Sequence, residues 1–167
     1  MRTVFFDRDG TLGLLSDNRY PNTFTPFDNL AEIIGDLHKA GLLCMVYTNQ
    51  SCVARGLDGG YDFDAEFKSA GFDDWFICPH DHNDNCSCRK PKAGLLTQAA
   101  QKHKLDLSDC FAVGDRLTDI EAGNTSGCKT ILVRTGRGKD EEAAGNIKID
   151  FTANDLNDVR DYILMQI

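Results

Sequence analysis

The stretch Thr3-Val4-Phe5-Phe6-Asp7-Arg8-Asp9-Gly10-Thr11 passes from an unbroken apolar run into two carboxylates and a glycine. A short run with no polar alternation predicts a strand covered on both faces, the kind found in a buried parallel sheet. Similar runs recur at 42–47, 75–77, 110–113 and 130–133. Between them, 29–40 sets Leu30, Ile33, Ile34 and Leu37 at helical spacing, and 93–103 does so with Leu95, Leu96 and Ala99. Residues 156–165 repeat the pattern with Val159, Ile163 and Leu164. Gly41 sits where a helix-ending residue with positive φ belongs. Alternating strands and helices predict a three-layer, Rossmann-like α/β fold around a central parallel sheet. Loops are expected at 13–26, 54–61, 135–145 and in the cysteine-rich segment that follows Ile77.

The 167 residues, 41% hydrophobic and 26% charged, suit one domain over 1–167 with a single core. A formal net charge of −8 argues against a broad nucleic-acid or anionic-membrane footprint. The first residues do not read as a signal peptide, and no apolar run approaches the roughly 18 residues of a membrane span. A cytoplasmic monomer is expected. Its seven cysteines, an odd number, read as reduced thiols or metal ligands before disulfides.

In open α/β sheets, ligands bind beyond the carboxyl ends of the strands. The residues there are Asp7-Arg8-Asp9-Gly10-Thr11, Thr48-Asn49-Gln50-Ser51, the cysteine segment, and Gly114-Asp115-Arg116 with Asp119. Asp-x-Asp-Gly alone is also an ordinary turn sequence. Its company argues for more: carboxylates gathered at one sheet edge repel one another unless a cation neutralises them, and hard oxygen ligands suit Mg²⁺. A nucleophilic carboxylate, the Thr48 hydroxyl, the Lys90 cation and further metal-binding carboxylates are the parts of phosphoryl transfer through an aspartyl-phosphate.

Four stretches in order, FFDRDGT, VYTNQS, RKPKAG and GDRLTDIEAG, resemble the four motifs of the haloacid dehalogenase (HAD) superfamily and span nearly the whole chain. The resemblance implies that Asp7 is the nucleophile and Asp9 the general acid and base. It implies that Thr48 and Lys90 hold the phosphoryl oxygens, and that Asp7, the Asp9 carbonyl and Asp115 bind Mg²⁺, with Asp119 behind them.

Cys78, His80, Cys86 and Cys88 form Cys-x-His and Cys-x-Cys pairs across a short loop. Three thiolates and one imidazole describe a closed, structural zinc site, with His82 a competing ligand left inside the loop. Such a zinc would restrict an irregular segment that runs straight into Arg89 and Lys90. This arrangement resembles the histidinol-phosphatase and heptose-bisphosphate-phosphatase subgroup of the superfamily. Too little chain separates the motifs for a large cap domain.

Within the subgroup, TNQSCVARG and ILVRTGRG resemble the heptose-bisphosphatase pattern, whereas the compact zinc loop and GDRLTDI resemble histidinol-phosphatase. The expected partner is a small phosphate ester, a heptose 1,7-bisphosphate ahead of histidinol phosphate, contacted by Asn49, Gln50, Ser51, Arg89 and Arg116. Arg55 is a further candidate for a second phosphate. Phosphotransfer to another acceptor would use the same residues. The rival class is a non-catalytic zinc-binding interaction module on the same scaffold, and the intact set of Asp7, Asp9, Thr48, Lys90 and Asp115 argues against it.

Overall fold

A computed structural model describes all of residues 1–167. Six strands form one parallel sheet: β1 (Thr3–Phe6), β4 (Leu43–Asn49), β5 (Asp74–Cys78), β6 (Phe111–Gly114), β7 (Lys129–Val133) and β8 (Phe151–Ala153), in the order β5-β4-β1-β6-β7-β8. The remaining strands, β2 (Gly13–Leu15) and β3 (Phe24–Pro26), make a small antiparallel hairpin after β1. The helices are α1 (Leu30–Lys39), α2 (Phe63–Ser69), α3 (Gly94–His103), α4 (Leu117–Ser126), α5 (Gly138–Ala144) and α6 (Leu156–Met165). No helix is long and apolar enough to cross a membrane.

The unbroken apolar runs are explained by burial on both faces. Alternate residues of β1 point to opposite sides. Val4 and Phe6 join Cys44, Val46, Val113, Ile131 and the apolar faces of α1 and α6 in one core layer. Phe5 joins Met45, Tyr47 and Ala112 against Leu95, Leu96 and Ala99 of α3 in the other. Cys44, Cys110 and Cys128 are buried free thiols, as expected of small hydrophobes in a reduced protein. Gly41, at φ +82°, ends the chain's first α-helix as its position predicted.

Several short elements depart from the expectations. The stretch 13–26, expected as loop, contains the β2–β3 hairpin, whose three-residue strands carry too little pattern to register. The stretch 135–145, also expected as loop, contains α5, a Lys-Asp-Glu-Glu-Ala-Ala sequence of good helix formers with only Gly138 buried. β8 and α2 were not anticipated either. α2 is short but well specified: the Asp62 side chain accepts from the Ala65 N–H, and Phe63 and Phe67 stack at i,i+4 inside the core.

In the sheet, β1 is followed by neighbours on one side and then, through β6, on the other. The order therefore reverses between β1 and β6, and the ligand crevice of such folds opens at that point. Asp7 directly follows β1 and donates its N–H to Val113 O on β6 at 2.9 Å, which sets it beside Asp115. Only the hairpin lies between β1 and α1, and only α2 between β4 and β5, so no large cap covers the crevice.

Candidate active site

At the crevice, the oxygens of Asp7, Asp115 and Asp119 lie within 4.8 Å of one another, all three side chains being buried. Asp115 Oδ2 accepts the Arg137 N–H at 2.8 Å, whereas its Oδ1 is buried without a hydrogen-bond partner. An orphaned buried carboxylate oxygen is costly unless a ligand satisfies it. Burial, followed by the charges of Asp7 and Asp119, pushes the Asp115 carboxyl up to about 8. A hard divalent cation fits this set of oxygens. Gly10, at φ +87°, leaves the room that the Asp115 carboxylate occupies, since any Cβ there would collide with it.

Lys90 is buried between the acids: its Nζ is 2.7 Å from both Asp7 Oδ1 and Asp119 Oδ1. It also donates to Tyr47 O at 2.8 Å and lies 4.2 Å from the centre of the Tyr47 ring. Burial works against its charge, but Asp119 and Asp7 outweigh that and hold Lys90 above its ordinary value. Asp119, expected behind the metal, has a second task as this lysine's counter-ion, and its Oδ2 accepts the Arg116 N–H at 3.0 Å.

The end of β4 and the residues just after it divide into an inward and an outward set. Thr48 and Gln50 point inward, 1% and 4% exposed, and Gln50 Nε2 donates to both Thr48 Oγ1 and Asp9 Oδ2 at 3.0 Å. Gln50, expected as a substrate contact, supports Asp9 instead, and neither it nor Thr48, expected to hold the phosphoryl oxygens, lines the pocket wall. Asn49 and Ser51 do face the pocket. Asn49 also grips the backbone of Lys90, accepting its N–H at 3.0 Å and donating to its carbonyl at 3.2 Å.

Asp7, Asp9, Lys90 and Asp119 open into a pocket of about 290 Å³ ringed by Arg19, Arg55, Arg89 and Arg116. Arg89 and Arg116 were expected there; Arg19, on the hairpin loop, was not. Asp9 is held by Gln50 and by Arg8 Nη1, 2.7 Å from Asp9 Oδ1. Burial raises the Asp9 carboxyl above the usual carboxylate range against the pull of Arg8, with Asp7 adding to the rise.

The cysteine segment gathers Cys78, His80, Cys86 and Cys88 within 4.8 Å and leaves out His82, whose Nδ1 instead sits 2.7 Å from Asp81 Oδ1. The Cys78 Sγ to Cys86 Sγ separation is 3.7 Å, and His80 Nδ1 lies 3.5 Å from Cys78 Sγ and 3.3 Å from Cys88 Sγ. Tetrahedral ligands at zinc bond lengths are separated by roughly 3.5–3.8 Å, so the cluster has the size of a zinc site before any metal is considered. Burial pushes the Cys78 thiol up to about 12, while at Cys86 the N–H groups of Arg89 and Cys88 outweigh burial and bring it down to about 6. The same loop anchors two of the pocket arginines: His80 O accepts from Arg89 Nη1 at 3.3 Å, and Asp81 takes both arms of Arg55 at 2.8 and 3.2 Å.

A buried carboxylate at the end of the first strand, a lysine at hydrogen-bond distance and an acidic cation cradle at the topological switch point are the site of a phosphoryl-transferring hydrolase. Comparison with known proteins bears this out. A HAD-hydrolase-like family model matches residues 87–159. The D-glycero-beta-D-manno-heptose-1,7-bisphosphate 7-phosphatase of Haemophilus ducreyi is 34% identical over 97% of this chain and 98% of its own. That of Pseudomonas aeruginosa is 35% identical over 81% and 82%. The crystal structure of D,D-heptose 1,7-bisphosphate phosphatase from B. bronchiseptica, complexed with magnesium and phosphate, superposes with a TM-score of 0.90 at 31% identity and covers both chains fully. The chain belongs to this family of HAD-type phosphatases and is a phosphoric monoester hydrolase.

Proposed function

We propose that the chain removes the 7-phosphate of D-glycero-D-manno-heptose 1,7-bisphosphate by way of a phosphoryl group carried on Asp7. The observation that carries this reading is the placement of Asp7 and Lys90 at the floor of a pocket ringed by four arginines, of which Arg89 and Arg116 have no carboxylate partner while Arg19 and Arg55 pair with Asp17 and Asp81. Such a pocket suits an ester with a second anionic group at its far end. The related heptose-1,7-bisphosphate 7-phosphatases supply the identity of that ester. Asp7 attacks phosphorus in line with the ester oxygen. As that bond breaks, Asp9 supplies the proton to the departing alcohol, then takes one from the water that attacks the phosphorylated Asp7 and restores its carboxylate. Lys90 offsets the repulsion between an anionic nucleophile and an anionic ester, and Thr48, whose Oγ1 accepts from Gln50 Nε2 at 3.0 Å, keeps its own hydroxyl hydrogen to donate to a phosphoryl oxygen. Asp7, the Asp9 carbonyl and Asp115 would hold Mg²⁺, which supplies further charge neutralisation at the phosphoryl oxygens.

The substrate is tested with a panel of both heptose 1,7-bisphosphate anomers, histidinol phosphate and simple sugar monophosphates. A heptose bisphosphate should exceed the others in kcat/KM by more than about 10-fold, roughly the worth of one charge-assisted hydrogen bond. Equal rates on histidinol phosphate would overturn the assignment.

The carboxylate cluster gives a pH signature. A carboxyl raised to about 8 in the folded protein holds a proton that the unfolded chain has released above ~3.9. Its contribution to stability is therefore fully present below ~3.9, falls progressively as pH rises, and is lost by about 8. A divalent cation takes the proton's place. Magnesium should accordingly raise the melting temperature of chelated protein more at pH 8 than at pH 6. An equal rise at both would show that Asp115 does not bind it.

Cys78, His80, Cys86 and Cys88 are assigned a structural zinc. Protein purified without chelator should contain about one zinc per chain. Stripping that zinc and restoring magnesium should still leave activity reduced about 10-fold or more, because the loop places Lys90, Arg89 and Arg55. Metal analysis that finds no zinc rejects this role.

A further inference from the structure

Arg8, between the two aspartates, has no role in the chemistry above, yet its side chain is fully buried. Its guanidinium forks onto Glu66 of α2, with Nε at 2.8 Å from Oε1 and Nη2 at 2.7 Å from Oε2. Nη2 also donates to Pro21 O at 3.0 Å, and Nη1 to Asp9 Oδ1 at 2.7 Å. The guanidinium lies 4.0 Å from the centre of the Phe24 ring, and the Tyr61 hydroxyl donates to Glu66 Oε2 at 2.6 Å. A relay of side chains thus runs from Tyr61 through Glu66 and Arg8 to Asp9. It ties the end of β1 to the hairpin and to α2.

A buried ion pair is a weak way to stabilise a fold, since an apolar group of the same volume often does as well. What an arginine adds is a rigid planar fork that fixes where its remaining N–H points. Here the fork is spent on Glu66 and the remaining N–H is aimed at Asp9. Without it, only Gln50 holds the Asp9 carboxyl, and an aspartate side chain with one partner has several rotamers open to it.

We propose that Arg8 is a positioning residue for Asp9: anchored by Glu66 and Tyr61, it fixes the Asp9 carboxyl where a proton passes to the leaving oxygen. The inference rests on the reading of Asp9 as general acid. A leaving group that departs as a stable phenolate needs no proton, whereas an alkoxide does. Loss of positioning should therefore depend on the leaving group, and loss of general structure should not.

The test compares kcat/KM, which reports events up to transfer of the phosphoryl group to Asp7, for a sugar or alkyl phosphate and for 2,4-dinitrophenyl phosphate. Arg8→Met should lose about 100-fold on the alkyl ester and less than about 3-fold on the aryl ester, within the range of general acid catalysis. Glu66→Gln, which keeps the arginine but weakens its anchor, should show a smaller loss with the same selectivity. In the Asp9→Asn background, adding Arg8→Met should cost nothing further on the alkyl ester, because Arg8 acts only through Asp9. Should Arg8→Met fail to fold, as judged by circular dichroism, Glu66→Gln and Tyr61→Phe carry the comparison alone. Equal losses on the two esters, or losses from Arg8→Met and Asp9→Asn that multiply, overturn the inference while Asp9→Asn still discriminates. If Asp9→Asn itself fails to discriminate, the acid reading of Asp9 falls and takes this inference with it.

Discussion

Asp7→Asn should lower turnover by about 10⁴-fold or more while leaving the fold intact, the scale seen when a nucleophile is removed from a site whose other parts remain. The amide is nearly isosteric with the carboxylate, and its oxygen can still accept from Lys90 Nζ, which now lies 2.7 Å from Asp7 Oδ1. The variant also sheds one of three mutually repelling buried acids, Asp7, Asp115 and Asp119. Its melting temperature without magnesium should therefore equal or exceed that of the parent. Activity and stability moving in opposite directions is the signature of a residue kept for chemistry. Turnover within about 10-fold of the parent would remove Asp7 from the nucleophile's role.

Lys90→Met should damage both. The ammonium is the only side-chain cation within salt-bridge reach of either Asp7 or Asp119, and it is almost wholly buried. Removing one partner from a buried ionic cluster typically costs about 3–5 kcal/mol, because the remaining charges are left uncompensated. In a chain of this size that corresponds to a fall in melting temperature of about 10 °C. Activity should fall by about 10³-fold, as for loss of a preorganised donor to the developing charge. The double variant Lys90→Met with Asp119→Asn should recover much of the stability and none of the activity. A melting temperature within about 1 °C of the parent for Lys90→Met alone would show that the acids are not held together by this lysine.

The parts of the site legible in the sequence were those whose chemistry stands at a strand end or at a fixed short spacing. Asp7 and Asp115 stand just past strand runs, with Asp9 two residues beyond Asp7, and the topology brings Asp7 and Asp115 together because β1 and β6 are neighbours. Cys78, His80, Cys86 and Cys88 carry their ligand pairs within one loop, and the structure brings all four sulfur and nitrogen atoms together. Relations across the chain were not legible. Arg8 and Glu66 are 58 positions apart, and nothing local marks either as the other's partner. The second task of Asp119, the grip of Asn49 on the Lys90 backbone and the inward turn of Gln50 are also products of tertiary packing. α4 shows the same principle at the level of secondary structure. Its buried face includes Asp119 and Gly123 beside Ile120 and Ala122, so the function it carries obscures the apolar periodicity that would have announced a helix.

The central claim, that the phosphoryl group passes to the enzyme before it passes to water, has a direct test in the stereochemistry at phosphorus. A phosphorothioate analogue of the substrate, made chiral with oxygen isotopes and hydrolysed in labelled water, reports the number of displacements. Two in-line transfers, to Asp7 and then to water, give net retention of configuration; net inversion, the mark of direct attack by water, would contradict the account.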